Sequence, residues 1–488
     1  MMRTRNGTLV LLLLLLLPLL LHCGSRDERP SIVLVTLDTT RADFLGCYGD
    51  SLAETPVIDA FARGGIRYDR AFCHAPLTVP SHATMLTGRY PRSTGVMRNS
   101  DTIPESGPHV AEILAGAGYE TAAFTSVKIL SERAGFGRGF ATFDMPESTR
   151  ARPGEETVAA ALAWLDARDE KTPCLLWVHL FDPHFPYRGT DGLAHYDRAA
   201  SYDGPLRQGS WNEIERAAET GWSESDHERL LTLYRSMIAY SDHWIGALFE
   251  GLRSAGTWEN ADVYFVTDHG EAFGEGTYLE HANAIHPAVT RIGLIRKPPG
   301  RSGAAGRRAA GDEAAGAVVS AIQGGIDLAP TMLRACGIEP PSAMEGRTLY
   351  ASTAEAPADR AIVIEEPPLP ESAALRIADR NALFFPRPNG ATATPARTSG
   401  EKLAVARGDN FFVFDGMGGE TLLSLADAAH RADSVTGLRD DPGEAPGDMI
   451  PYRKSLLDWR KAHPLPDAAG NDDLDPETRR LLESLGYL

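Results

Sequence analysis

The chain has 488 residues, and its 48 lysine and arginine side chains against 66 aspartate and glutamate side chains give a formal net charge of −18 at pH 7. Hydrophobic residues make up 43% and charged residues 23%, which is typical of globular proteins, and the length allows roughly two to three domains. The acidic balance argues against nucleic acid as a partner, because that interaction depends on lysine and arginine side chains that neutralise phosphates.

Residues 1–23 have the pattern of an export segment. Arg3 and Arg5 supply a positive start, and an almost pure leucine run follows from Leu9 to Leu21. This run is shorter than the roughly 20 apolar residues of a membrane-spanning helix but fits the apolar part of a signal peptide. Cys23 resembles the lipid-modified cysteine of bacterial lipoproteins, which would anchor the protein to a membrane. A plain signal peptide and an uncleaved anchor are the alternatives, and all three predict an exported protein of the periplasm or cell envelope.

Beyond residue 30 the hydrophobic pattern alternates between strands and helices. Apolar runs rich in β-branched residues are typical of strands buried on both faces, and they occur at Ser31–Leu37, Thr121–Thr125, Cys174–Leu180 and Asp262–Thr267. Apolar positions at helical spacing predict helices over residues 56–64, 109–117, 155–168 and 227–253. Thr55 is the predicted N-cap of the first helix. Strands that alternate with helices imply an α/β fold with a mostly parallel sheet covered on both faces.

Two segments interrupt this pattern, and the character of the chain changes after residue 346. Residues 187–225 are polar with scattered aromatic residues, and we interpret them either as an insertion that covers substrate or as a surface excursion. Residues 300–317 are rich in Gly, Ala and Arg, which predicts a flexible loop. We therefore predict a main domain over residues 30–346 and a smaller subdomain over 347–488 that ends in a helix. Its antiparallel sheet is predicted from strands at Ala361–Glu365, Ala382–Phe385, Leu403–Arg407 and Phe411–Phe414.

Polar side chains follow the ends of the predicted strands. Asp38 comes directly after the first strand, Asp268 and His269 follow the strand that ends at Thr267, and Asp182 and His184 lie just past the strand that ends at Leu180. Ligands of open parallel sheets bind beyond the carboxyl ends of the strands. Carboxylates and neutral imidazoles that meet there are good ligands for a divalent cation. Each aspartate taken alone is equally compatible with a turn or helix cap.

A second feature is the run TVPSHATMLTG that begins at Thr78. Pro80 is expected near the first position of a short helix, which places Thr78 at the helix N-terminus. Unpaired N–H groups and the positive end of the helix dipole favour an anion there. A metal-coordinated hydroxyl at this position would attack phosphorus or sulfur. The alternative is that Thr78 only caps the helix.

Six blocks of the sequence, in order, resemble the sulfatase family of the alkaline-phosphatase superfamily. The blocks are Ser31–Gly49 (SIVLVTLDTTRADFLGCYG), Thr78–Gly88 (TVPSHATMLTG), Gly118–Phe124 (GYETAAF), Phe181–Tyr187 (FDPHFPY), Val266–Gly276 (VTDHGEAFGEG) and Ile326–Leu349 (IDLAPTMLRACGIEPPSAMEGRTL). The resemblance covers almost the whole body of the chain. It implies an alkaline-phosphatase-like α/β/α sandwich with a smaller C-terminal subdomain that carries an antiparallel sheet.

The resemblance also implies roles for particular residues. It assigns a divalent cation, Ca²⁺ in the family, to Asp38, Asp268 and His269. Thr78 falls at the position of the nucleophile and His184 at the position of the histidine near the leaving group. His281, His82, Lys128 and Arg41 complete the predicted site: His281 as a contact of a substrate oxygen, His82 as a catalytic residue, and Lys128 and Arg41 as substrate contacts. The alternatives are a turn residue for His184, an exposed loop residue for His281 and an exposed surface residue for Lys128.

Three departures from the family pattern bear on the mechanism. Sulfatases carry Cys or Ser at the nucleophile position and oxidise it to formylglycine, whereas oxidation of the secondary alcohol of Thr78 would give a ketone, so no formylglycine is expected. His82 stands where sulfatases have an arginine, and Thr39 where many have a second acidic metal ligand. With an Asp/Asp/His set, Mn²⁺ and Zn²⁺ are alternatives to Ca²⁺.

The sequence therefore predicts a metal-dependent hydrolase of sulfuric or phosphoric esters with Thr78 as nucleophile. Overall similarity favours a sulfate ester, whereas the threonine favours a phosphate ester, because a threonine phosphate is hydrolysed more readily than a threonine sulfate. The expected substrate is a small anionic ester or a sulfated or phosphorylated glycan or lipid. A transferase that moves a phospho-group onto an envelope lipid or glycan, and a non-catalytic exported binding protein, are the alternatives.

Overall fold

A computed structural model of the chain describes most of the main domain and parts of the C-terminal region. The described residues are 29–187, 202–207, 209–275, 279–281, 285–300, 315–355, 360–366, 402–407, 410–414, 420–424, 456, 458–464, 476, 479–480 and 482. The predicted export segment, most of the predicted loop over 300–317 and the predicted strand Ala382–Phe385 lie outside these residues. Within the described part of the chain, no helix is long and apolar enough to cross a membrane.

Nine α-helices have both ends within the described residues: α1 (Pro56–Gly64), α2 (Thr78–Thr87), α3 (Pro91–Thr94), α4 (Val110–Gly116), α5 (Gly154–Ala167), α6 (Trp211–Thr220), α7 (Glu224–Ser254), α8 (Pro287–Thr290) and α9 (Leu328–Ala335). Single 3₁₀ turns cover Ala42–Phe44, Gly46–Tyr48, Gly325–Asp327 and Thr353–Glu355. The strands are β1 (Ser31–Leu37), β2 (Ile66–Tyr68), β3 (Ala71–Phe72), β4 (Glu120–Thr125), β5 (Thr142–Asp144), β6 (Cys174–Leu180), β7 (Ala261–Thr267), β8 (Ala272–Phe273), β9 (Leu279–Glu280), β10 (Arg291–Ile292), β11 (Leu294–Lys297), β12 (Ala317–Val319), β13 (Gln323–Gly324), β14 (Ala361–Glu366), β15 (Lys402–Arg407), β16 (Asn410–Phe414) and β17 (Glu420–Ser424).

The main sheet has eight strands in the order β12-β2-β11-β7-β1-β6-β4-β5. β1 lies at its centre and pairs in parallel with β6 on one side and β7 on the other. β11 runs antiparallel to both of its neighbours, so the sheet is mostly parallel, as the alternation of strands and helices predicted. The carboxyl ends of β1, β6 and β7 therefore lie side by side at one edge.

Two hydrophobic clusters cover the two faces of this sheet. Alternate residues of β1 point to opposite faces: Val33 and Val35 belong to the cluster that includes α5 and α7, whereas Ile32 and Leu34 belong to the cluster that includes α2, α4 and α9. A strand buried on both faces has no polar side, which explains the uninterrupted apolar runs in the sequence. The architecture is the expected α/β/α sandwich.

The C-terminal region carries a separate antiparallel sheet in the order β14-β15-β16-β17. Three of its strands overlap the predicted ones, and the predicted antiparallel sheet is confirmed. Described residues near the C-terminus, Pro476, Arg479–Arg480 and Leu482, are helical, in agreement with the predicted terminal helix. The boundary at residues 346–347 stays a prediction.

Helix ends account for most differences from the predicted elements. α7 begins at Glu224, three residues before the predicted start, because Ser223 and Asp226 form a capping box. α6 lies within the segment interpreted as an insertion or surface excursion and also begins with a capping box, formed by Ser210 and Glu213. Thr55 occupies the N-cap position of α1, but its hydroxyl does not bind the helix N-terminus. The carboxylate of Asp242 on α7 accepts those N–H groups instead, at 2.8 and 3.0 Å.

Candidate active site

Three predicted ligand side chains meet at the carboxyl edge of the main sheet. Asp38 follows β1, and Asp268 and His269 follow β7, the strand that pairs with β1 in register up to Leu37 and Thr267. One ligand atom from each of the three residues lies within 4.8 Å of the others, and all three side chains are buried. Parallel pairing of two strands distant in sequence therefore builds the cluster that the sequence predicted.

The carboxylate of Asp268 is held by backbone amides. Its Oδ1 accepts the N–H groups of Thr39 at 2.8 Å and of His269 at 2.7 Å, whereas its Oδ2 has no hydrogen-bond partner among the described residues. Thr39 reaches this position with φ of 50°, a left-handed conformation that β-branched residues rarely adopt. The strained backbone at Thr39 thus serves to direct Asp268 Oδ2 into the cluster.

The imidazole of His269 is oriented as a metal ligand. Its Nδ1–H donates to the carbonyl of Gly270 at 3.0 Å, which leaves the lone pair on Nε2. Nε2 has no hydrogen-bond partner in the described structure and lies 3.4 Å from Asp268 Oδ2. Burial lowers the pKa of His269 to about 3, so the ring is neutral at pH 7. Two orphaned, buried acceptor atoms side by side fit a divalent cation.

Hydrogen bonds with the adjacent residue Thr39 and with strand β6 hold Asp38 in place. Its backbone N–H donates to Leu180 at 2.9 Å, its Oδ1 accepts the Thr39 hydroxyl at 2.5 Å, and its Oδ2 accepts His179 Nε2–H at 3.1 Å. Burial acts to raise the pKa of Asp38, but the hydrogen bond from His179 and the nearby imidazoles bring it well below its ordinary value. Burial and the adjacent charge of Asp38 raise the pKa of Asp268. A dication in the cluster removes this repulsion and lets both carboxylates ionise.

The helix that carries Thr78 packs against the same edge. Thr78 is buried and is the first residue of α2, Leu77 is the N-cap, and Pro80 is therefore the third helical residue rather than the first as predicted. The Ser81 hydroxyl donates to the carbonyl of Asp268 at 2.7 Å. This bond ties the first turn of α2 to the metal-ligand segment after β7.

His82 connects Thr78 to the cluster. Its Nδ1–H donates to the carbonyl of Thr78 at 2.8 Å, and Nδ1 lies 3.7 Å from Asp268 Oδ2. Its ring contacts that of His179 with 4.9 Å between the centroids. Burial and the neighbouring His179 lower the pKa of His82 to about 3, so a neutral imidazole stands where the family has a cationic arginine.

Asn99 lies at the N-terminus of the same helix. Its Oδ1 accepts the N–H of Val79 at 2.9 Å, and its buried Nδ2 has no hydrogen-bond partner within the described residues. Because Val79 follows Thr78, the amide group of Asn99 stands next to the predicted nucleophile. A buried donor at this position is suited to an ester oxygen.

The other predicted histidines line the approach to the cluster. The His281 ring lies 4.4 Å from the His269 ring and 5.2 Å from the His184 ring, and the latter stacks on Phe181 at 4.2 Å. His281 Nδ1 donates to Glu271 at 3.0 Å. Burial raises the pKa of Glu271 to about 8 and lowers that of His281 to about 4. The structure thus brings all four predicted histidines to one site.

Arg41, Lys128 and Asp182 have structural contacts. The Arg41 guanidinium binds Asp43 at 2.6 Å and Glu275 at 2.5 Å, and Lys128 Nζ donates to a backbone carbonyl at 2.7 Å. Asp182 accepts the N–H of the first residue of α5 at 3.1 Å, which is a helix cap. The substrate contacts of Arg41 and Lys128 stay predictions.

Sequence reasoning missed three residues of this site. The position of His179 was a signal in the sequence, because it is the only histidine, acidic or basic residue in the apolar strand CLLWVHL and lies one residue before its end. Glu271 belongs to the DHGE run but had no partner in sequence that would assign it a role. For Asn99 the sequence offered no signal, since only the tertiary fold brings it to Val79.

The fold and the cluster of Asp38, Asp268 and His269 together indicate the class of protein. An α/β/α sandwich with carboxylates and an imidazole at the carboxyl edge of its central strands is alkaline-phosphatase-like. A solved phosphonate monoester hydrolase of Agrobacterium radiobacter has this fold, with a TM-score of 0.63 and 19% identity over 89% of this chain and 96% of that one.

The family follows from the sequence comparison. The family model described as Sulfatase matches residues 30–338, which is more than half of the chain. The chain therefore belongs to the sulfatase family, and the resemblance stated from its motifs is confirmed.

Curated relatives agree with this assignment. An ulvan-active sulfatase of Formosa agariphila is 27% identical over 66% of this chain and 65% of its own length. An N-acetylglucosamine-6-O-sulfatase of Bacteroides thetaiotaomicron is 23% identical over 69% of this chain and 74% of its own length. The chain thus spans slightly less than two thirds of the length of the first of these relatives.

Proposed function

We propose that the chain is a metal-dependent ester hydrolase that cleaves a sulfuric or phosphoric ester with Thr78 as nucleophile. The observation that carries this proposal is the convergence of Asp38, Asp268 and His269 within 4.8 Å, beside the helix that begins at Thr78. Asp268 Oδ2 and His269 Nε2 are buried and have no hydrogen-bond partner among the described residues, which costs folding free energy unless a cation binds them.

Asp38 Oδ1 or Oδ2, Asp268 Oδ2 and His269 Nε2 would hold the cation. When bound, it supplies Lewis acidity to the ester oxygen and to a coordinated hydroxyl. Thr78 would lose its hydroxyl proton to water and attack sulfur or phosphorus through Oγ, while the bond to the leaving oxygen breaks. Asn99 Nδ2 donates to a non-bridging oxygen, and His82 steadies the first helical turn through the Thr78 carbonyl.

His184 is proposed to protonate the leaving oxygen. Its Nδ1–H donates to the Phe185 carbonyl at 2.5 Å, which fixes the orientation of the ring. Burial lowers the pKa of His184, and an anionic ester beside the ring opposes that shift and favours the protonated form. His281, oriented by Glu271, contacts a substrate oxygen. Water then hydrolyses the ester on Thr78 and restores the hydroxyl.

A sulfated glycan is the substrate class that the relatives support. Their names refer to ulvan and to the 6-O-sulfate of N-acetylglucosamine. A phosphoric ester is the second candidate, and Thr78 itself favours it. A threonine cannot provide the hemiacetal elimination by which formylglycine releases sulfate, whereas a phosphorylated threonine is hydrolysed by attack at phosphorus.

The test is a panel of aryl sulfate, aryl phosphate and aryl phosphodiester substrates, each with Ca²⁺, Mn²⁺ or Zn²⁺. Thr78→Ala is expected to reduce turnover by several orders of magnitude, and Thr78→Ser to retain it. Thr87→Ala is the matched control, because this buried hydroxyl of the same helix only binds the carbonyl of Ala83. A mass spectrum of the Thr78 peptide after brief exposure to substrate should show the covalent ester. Unchanged turnover in Thr78→Ala would remove the nucleophile assignment.

We further propose that the protein is exported and attached to a membrane through Cys23. The charged start, the leucine run and the cysteine support this proposal. Fractionation of cells that express the wild type and Cys23→Ala tests it, because the variant should leave the membrane fraction while the wild type stays there.

A further inference from the structure

The way the two carboxylates are hydrogen-bonded limits the number of oxygens that Asp38 and Asp268 offer to a cation. Asp268 Oδ1 already accepts two N–H groups, from Thr39 and His269, which occupies both of its lone pairs. Asp268 therefore binds a cation through Oδ2 alone. Each oxygen of Asp38 accepts one hydrogen bond, from Thr39 and from His179, so each keeps one lone pair. The two carboxylates together provide at most three oxygen ligands.

The next ligand is a nitrogen, and the backbone fixes it in place. His269 Nδ1–H is bound to the Gly270 carbonyl, and Gly270 in turn donates its N–H to Val289 at 2.8 Å. A Cβ at Gly270 would lie 2.1 Å from the carbonyl oxygen of Ala288, so the two backbones are in close contact. His269 Nε2 is therefore held toward Asp268 Oδ2, at 3.4 Å, by a rigid outer layer.

Thr39 orients both carboxylates. Its backbone N–H and its hydroxyl act as donors, one to each of the two aspartates. The residue that stands in the place of a second acidic ligand thus brings no carboxylate of its own and holds the other two in position.

We infer that this site takes a first-row transition-metal dication, Mn²⁺ or Zn²⁺, in preference to Ca²⁺. Ca²⁺ takes six to eight oxygen ligands, which include carboxylates, carbonyls and waters. The ligand set described here instead includes a neutral imidazole nitrogen, and a nitrogen ligand favours a first-row transition-metal dication, with water and substrate in the remaining positions. This inference rests on the proposed function, and it departs from the calcium that the family resemblance implies.

Cation binding to the full chain, after removal of bound metal with a chelator, tests the inference. Mn²⁺ and Ca²⁺ are titrated separately by calorimetry, because Mn²⁺ is the weakest binder of the transition series and so gives the strictest comparison. We expect one site per chain and a Kd for Mn²⁺ at least about tenfold below that for Ca²⁺. Co²⁺ added to the same protein should show the visible absorption of a cobalt–imidazole complex.

His269→Asn removes the nitrogen ligand, because its shorter amide reaches only to the position of Nδ1 and cannot replace Nε2. The affinity for Mn²⁺ is expected to fall by at least about tenfold, with a smaller change in the affinity for Ca²⁺. The preference for Mn²⁺ over Ca²⁺ should therefore narrow or reverse, and the absorption spectrum of the cobalt complex should change. His243→Asn is the matched control, because His243 is an exposed histidine of α7, and it should leave both affinities unchanged.

Each outcome has a distinct meaning. Tighter binding of Ca²⁺ than of Mn²⁺ by the wild type, or an unchanged preference in His269→Asn, would overturn the inference and leave the proposed hydrolase intact. No bound dication at all would overturn the proposed metal-dependent function itself. If His269→Asn fails to fold, the wild-type titrations and the wild-type cobalt spectrum decide.

Discussion

Variants of His179 test whether a residue that donates a hydrogen bond to a predicted metal ligand sets the cation affinity of the site. His179 follows Leu175 and Trp177 on the α2 face of β6, and its Nε2–H is the donor to Asp38 Oδ2 at 3.1 Å. The variant His179→Phe keeps the ring volume and removes the donor. A hydrogen bond to a charged group is worth about 1.5–3 kcal/mol. Since about 1.4 kcal/mol corresponds to a factor of ten, cation affinity should fall by about 10–100-fold.

His179→Gln separates this effect from packing. The amide nitrogen of glutamine reaches about as far as Nε2 of histidine, so this variant should recover most of the lost affinity. The assay is calorimetric titration of metal-free protein with Mn²⁺, accompanied by thermal unfolding to show that each variant is folded. His109→Phe is the matched control, because His109 is equally buried at the start of α4 but has no contact with the cluster in the described structure.

Two results would refute the reasoning. One is unchanged cation affinity in His179→Phe, which would mean that Asp38 needs no donor to hold its orientation. The other is an equal loss in His109→Phe, which would mean that general destabilisation, not the bond to Asp38, lowers the affinity.

Three further predictions concern the titration of Asp242, the close backbone contact at Gly270 and saturation of the protein with Mn²⁺. Burial raises the pKa of Asp242 from 3.8 to about 7, so the native state retains a proton that the unfolded chain loses. This carboxyl should therefore lower the free energy of unfolding by about 4 kcal/mol as pH rises from about 4 to about 7. Denaturant titrations across this range should show that slope in the wild type and a flatter one in Asp242→Asn; parallel slopes would contradict the assignment. Gly270→Ala should destabilise the protein by about 1–3 kcal/mol and weaken cation binding, because the new methyl would meet the Ala288 carbonyl; an unchanged melting temperature would refute the close contact. Saturation with Mn²⁺ at about a thousand times its Kd should stabilise the fold by about 4 kcal/mol, and a chelator should reverse the shift in melting temperature.

The parts of the fold that depend on local pattern were predicted well. β1 and β6 match the predicted strands residue for residue, because apolar, β-branched runs buried on both faces leave a strong signal in sequence. The antiparallel placement of β11 had no such signal, since it depends on pairing with β2 and β7 across the sheet. The capping of α1 by Asp242 was equally hidden, because the two lie 184–185 residues apart.

The residues of the candidate site likewise divide into those that the sequence pattern predicts and those that it does not. Asp38, Asp268 and His269 were predictable because polar residues at the ends of buried strands stand out and because such ends meet at one edge. His179, Glu271 and Asn99 were not assigned roles, since each acts through a hydrogen bond that only the folded chain forms, to a residue 10 to 141 positions away. Sequence pattern therefore predicted the three side chains of the cluster, whereas the groups that orient them depend on the tertiary fold.

The distance in sequence between the two halves of the cluster has a consequence for biosynthesis. Thr39 and Asp268, which share a hydrogen bond, are 229 residues apart, and the cluster is complete only when β7 pairs with β1. A nascent chain that has emerged only as far as β6 lacks Asp268 and His269. Binding of the proposed cation would therefore be a late maturation step, and it would report that the centre of the sheet has assembled.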